Sequence, residues 1–162
     1  MTMSGAAARD WPLTSAIPEM GAYVHAPATV RWQVRETLRA WEIPGVSDSA
    51  ELVASELVSN SVAALADPDT VDAEHPAGLP RMAGDSVATI AVRLRSDGHL
   101  LLIEVWDPAD GKPERRDAGP DDESGRGLVI VEALSERFGC DPHEAGGKVT
   151  WCLLRAGAGP VP

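Results

Sequence analysis

Glu56 and Asn60 stand four residues apart in the segment ELVSN, so on a helix they share one face about a turn apart. An amide oxygen is a hard ligand suited to a magnesium ion that keeps its waters and shares phosphate oxygens. A carboxylate one turn away is placed to take a proton from a hydroxyl or water attacking a phosphate. The same pair also occurs on any solvated helix, and the pentad alone does not separate these readings. Asp107, in VWDP, closes an apolar run and enters a loop. A carboxylate there can accept from an exocyclic amine such as that of adenine, or simply open a turn before Pro108. The third constellation is SGRGL, Ser124–Leu128. Gly125 and Gly127 allow close approach of an anion, while Arg126 and the free N–H groups of a helix start favour phosphate. Its plain alternative is a flexible connector with Ser124 as N-cap. No GxxxxGK[ST] run occurs in the chain, so a P-loop is excluded as the phosphate cradle.

These residues need elements to hold them. Val30, Val34, Leu38 and Trp41 recur at helical spacing after Pro27, predicting a helix over 27–41 that IPG (43–45) stops. A second helix is expected from an N-cap at Ser47 or Asp48 to about Leu65, with Val53, Leu57, Ser61 and Leu65 facing the core. Two strands, Val87–Arg95 and His99–Trp106, flank the turn signal SDGH. A third helix is expected from Gly127 to about Phe138 and a last strand from Lys148 to Leu154; residues 11–24, with Pro12 and Pro18, suit one or two edge strands. Segments 67–86 and 107–126 read as long loops. Helices before a hairpin, then loop, helix and strand, predict an α/β two-layer sandwich with a mixed, mostly antiparallel sheet and the helices on one face. Residues 11–155 form the expected domain, between disordered tails at 1–10 and 156–162.

Composition narrows the function. The chain has 162 residues and 25 acidic against 14 basic side chains, a formal net charge of −11. Such a chain repels nucleic acids and anionic membranes, whereas one nucleotide can still be held locally by backbone N–H groups and a cation. Two cysteines, Cys140 and Cys152, give no disulfide framework, and neither a secretory leader nor a membrane-length apolar run is evident. A cytoplasmic location is expected. The four histidines have no metal-ligand spacing.

Taken together, ELVSNSV, VWDPADGKP, ESGRGLVIVEAL and the terminal GGKVTWCLL resemble, in that order, the N box, two glycine boxes and closing strand of the histidine-kinase-like ATPases (GHKL, with the Bergerat ATP-binding fold). The resemblance covers roughly 26–155 and is nearest to the branch of anti-sigma-factor serine/threonine kinases and related short bacterial regulators. It implies ATP and Mg2+ as cofactors, with Asn60 as the magnesium-coupling amide and Glu56 as the base. It further implies Asp107 as the adenine anchor, with Gly111, Gly125, Arg126, Gly127 and Leu128 on the nucleotide and the 108–124 loop as a lid. Kinase activity on a small antagonist protein, binding of a sigma factor and a possible homodimer are implied as well. The alternative is a non-catalytic, ATP-gated protein-binding module. The chain departs from the family pattern at Ala64, where many relatives carry His, at Ala109 in place of a glycine, and in the length of 67–86.

Overall fold

The computed structural model describes residues 9–65, 88–109 and 126–157. Strand β1 (Leu13–Gly21) is followed by helix α1 (Ala26–Ala40), a 3-10 turn at Pro44–Val46 and helix α2 (Ser47–Leu65). Strands β2 (Thr89–Ser96) and β3 (Leu100–Asp107) come next, then helix α3 (Arg126–Leu134) and strands β4 (Arg137–Pro142) and β5 (Lys148–Arg155). The sheet order is β1-β2-β3-β5-β4 and every pairing is antiparallel. The two-layer α/β sandwich expected from the sequence is present, with β3 at the centre of its sheet.

Helix α1 carries Pro27 in its first turn and buries Ala26, Val30, Val34 and Leu38. It ends at the Trp41 cap, after which Glu42 takes a left-handed φ of 59° that a continuing helix does not allow. Helix α2 is buried around much of its circumference, through Ala50, Val53, Ala54, Leu57, Val58 and Ser61, because it lies between α1 and α3 and over the sheet. Ser47 begins this helix, and its hydroxyl donates to Glu51 Oε1 at 2.7 Å. Arg35 donates to both oxygens of Glu51, at 3.1 and 2.7 Å, and so ties α1 to α2.

The alternation of strand residues divides the sheet. Ile90, Val92, Leu94, Leu101, Ile103, Val105, Cys152 and Leu154 face the helices and form one core with them. On the outer face Arg93 and Arg95 each grip Glu104 through two hydrogen bonds of 2.8–3.0 Å. The hairpin turn falls where SDGH predicted it: Gly98 has φ +88°, and the Asp97 carboxylate accepts from the His99 and Leu100 N–H groups.

Three expectations are corrected. The third helix ends at Leu134, not near Phe138, because Arg137–Pro142 pairs with β5 as an edge strand. Strand β3 starts at Leu100, one residue after His99. Ala156, assigned to the C-terminal tail, is buried and donates its N–H to His99 O at 2.8 Å. Residues 11–24 hold one strand, with Pro18 in the irregular register between Ile17 and Met20. The expected tail at 1–8, the loop at 67–86, most of the 108–124 lid and the last five residues lie outside the described residues.

Candidate functional site

Helix α2 organises the site because it faces both the end of β3 and the start of α3. Toward the strand, the Ser61 hydroxyl donates to Asp107 Oδ2 at 2.6 Å. Asp107 is completely buried, and its other oxygen, Oδ1, accepts from the Lys148 ammonium at 2.9 Å and from Ala109 N–H at 3.0 Å. Lys148 lies directly opposite Asp107 in the β3–β5 register, on the same inner face, and also reaches Ala109 O at 3.4 Å. Gly147 makes this pairing sterically possible. Its φ is +74°, and a Cβ there would sit 2.2 Å from Asp107 O.

Toward α3, the side chain of Glu56 lies against Gly127. A Cβ on Gly127 would stand 2.2 Å from Glu56 Oε2, so the absent side chain is what lets the carboxylate occupy this place. Leu128 is buried behind it, and Arg126 is exposed at the start of the helix. One turn beyond Glu56, Asn60 is half-buried, and its Nδ2 is buried with no hydrogen-bond partner, the one such side-chain atom among the described residues. An orphaned buried donor costs roughly 1–3 kcal/mol. An acceptor such as a phosphate oxygen or a water would satisfy it, which fits a nucleotide in this place. The Asn60 amide could also hold a magnesium ion through its oxygen. Among the described residues no three His, Cys, Asp or Glu side chains gather to hold a metal, so such an ion would draw its remaining ligands from phosphate and water.

Of the residues singled out in the sequence, Glu56 and Asn60 lie on α2, which meets Asp107 through Ser61 and Gly127 through Glu56, while Arg126 and Leu128 flank Gly127 in the first turn of α3. Gly111 and Gly125 lie outside the described residues. Sequence reasoning missed Ser61 as a partner of Asp107, counting it only as a core-facing small residue. It also missed Lys148, which is 41 residues from Asp107 in the chain and meets it only through strand register. The doublet Gly146–Gly147 before the closing strand was the available signal, since it marks a backbone turned tightly against a neighbour.

A groove of about 800 Å³ lies elsewhere, on the outer face of the sheet, between Ile17, Ala91, Trp106, His143 and Val149. Its Arg93 and Glu104 are bonded to each other, and Asn60, whose Nδ2 is the one buried side-chain donor without a partner among the described residues, does not line it. Among the described residues no helix is long and apolar enough to cross a membrane. No known family model matches the chain, and a search of curated proteins gives no match either.

Proposed function

We propose that the chain is an ATP-binding regulatory protein of the histidine-kinase-like ATPase type, acting as a serine/threonine kinase on a small protein partner. The observation that carries this reading is the convergence on α2: Ser61 meets Asp107 on one side of the helix, and Glu56 meets Gly127 on the other, with the unpaired amide of Asn60 between them. A triphosphate with magnesium supplies the electrophilic phosphorus. Glu56 is the group placed to accept the proton of an incoming hydroxyl, and the start of α3 with Arg126 offers N–H and guanidinium donors to phosphate. Asp107 is the acceptor for the exocyclic amine of adenine. By the logic of the resembled branch, the target is a serine or threonine on an antagonist protein, with a sigma factor as a second partner in a cytoplasmic setting.

A second reading, an ATP-gated binding module without transfer, follows the departures from the family pattern at Ala64 and Ala109. One experiment separates the two. The protein is incubated with γ-labelled Mg-ATP and candidate antagonist proteins, with Glu56→Gln alongside. Label on a target serine with the wild type and not with the variant supports the kinase. Binding of Mg-ATP without label supports the module, and no binding at all sinks both.

A further inference from the structure

The site contains an unexpected tenant. Lys148 is almost fully buried, with 8% of its side chain exposed, and it is spent on a carboxylate with no exposed surface. A carboxylate presents about four acceptor positions, and three of those on Asp107 are filled by Lys148, Ala109 N–H and Ser61. Asp107 has no surface open to solvent, so an incoming donor can reach it only if something around it moves. Of the three, Ala109 N–H is set by the backbone as the chain leaves β3, and Ser61 can only turn its short hydroxyl about one bond on α2. The long, unbranched stem of Lys148 makes it the partner that can move.

We propose that Lys148 is an internal competitor for the adenine-binding acid, an ammonium that must leave Asp107 before an exocyclic amine can take its place. This rests on the nucleotide reading of the site and adds to it a residue that sets affinity. The competition has a definite sign. Within the folded protein Lys148 stabilises the resting state through a buried charge-assisted hydrogen bond, and nucleotide binding has to replace that bond. A side chain without the ammonium removes the competitor and exposes the acid, so the protein becomes less stable and the nucleotide binds more tightly. A merely structural lysine predicts a different pattern, in which stability and affinity fall together.

The test is calorimetric titration of Mg-ATP into wild type, Lys148→Ala, Lys148→Gln and Lys148→Arg, with a thermal melt of each. Lys148→Ala is expected to bind on the order of tenfold more tightly while melting lower. Lys148→Gln should fall between it and the wild type, and Lys148→Arg, which keeps the cation, should resemble the wild type. Weaker or unchanged binding by both neutral variants overturns it while leaving the nucleotide reading intact. If no protein in the series binds, both are overturned. A measurement on the wild type covers the case in which the alanine variant does not fold. The chain has only two lysines, Lys112 and Lys148, so lysine-selective nitrogen labelling yields two ammonium environments. The resonance of Lys148, assigned through Lys148→Arg, should be protected without ligand and lose that protection with saturating Mg-ATP. Protection that persists in the complex overturns the proposal.

Discussion

Gly127 of α3 lies so near the Glu56 carboxylate of α2 that no side chain fits between them. The obstructing atom is the far end of a flexible side chain, not backbone, which separates two effects that usually travel together. Gly127→Ala gains up to about 1 kcal/mol of helix propensity and loses a similar amount to crowding. Its stability should therefore stay within about 1 kcal/mol of wild type by denaturant unfolding. The carboxylate, however, must swing away, and phosphate transfer to a protein target should fall at least about tenfold. A variant that keeps full transfer would remove Glu56 from the chemistry.

Gly147 is the opposite case, because its obstruction is the backbone of Asp107 and Pro108 and its φ is positive. Gly147→Ala should cost about 3 kcal/mol, combining a left-handed alanine with a displaced strand end. Gly98 has φ +88° but open space around it, so Gly98→Ala should cost only about 1–2 kcal/mol. Chemical denaturation of the pair checks the difference, and equal losses would contradict the close approach.

Asn60→Ala removes an orphaned buried donor and adds a better helix former. Thermal unfolding should show unchanged or slightly raised stability, by up to about 1 kcal/mol. Magnesium-dependent nucleotide binding, followed by titration, should be lost. A large loss of stability would mean that the amide holds the fold together instead of waiting for a ligand.

The hydrogen bonds from Arg35 hold the Glu51 carboxyl below its usual pKa, with help from the Ser47 hydroxyl and against the effect of burial. A carboxyl depressed in the folded state binds its proton more readily when unfolded. Its contribution is therefore complete above the ordinary value of about 4.3 and is lost as pH falls through the folded-state value. Arg35→Gln should be less stable than wild type at pH 7, and the gap should narrow toward pH 3. Denaturation midpoints across that range check it.

Burial pushes the Cys152 thiol up to about 12, and it raises that of the half-buried Cys140 as well. Alkylation of the folded protein at pH 8 should leave Cys152 unmodified by mass spectrometry, with slow labelling confined to Cys140. Rapid labelling of Cys152 would show that strand β5 opens.

The legible parts of this fold are those written in local pattern. Helices α1 and α2 follow from Val30–Val34–Leu38 and Val53–Leu57–Ser61, and the β2–β3 hairpin follows from SDGH. Strand β4 was not legible: Arg137–Pro142 contains Gly139 and Pro142, lacks apolar alternation and continues a helical-looking run. It is a strand because β5 offers it a ladder, which is a non-local fact. In the site, Glu56 with Asn60 was readable from helical spacing, and Asp107 from its place at the end of an apolar run. Lys148 was not, since only register brings it opposite Asp107. Ser61 carried no sign that its hydroxyl, and not merely its small size, was in use.

Strand β3 has a neighbour on each side, β2 and β5, and Asp107 closes it at the point where Lys148 begins β5. The backbone that carries the acid is thereby clamped like the keystone of an arch. Under the nucleotide reading, any accommodation of an incoming molecule at Asp107 has to come from the side chains around it, not from the strand that carries it.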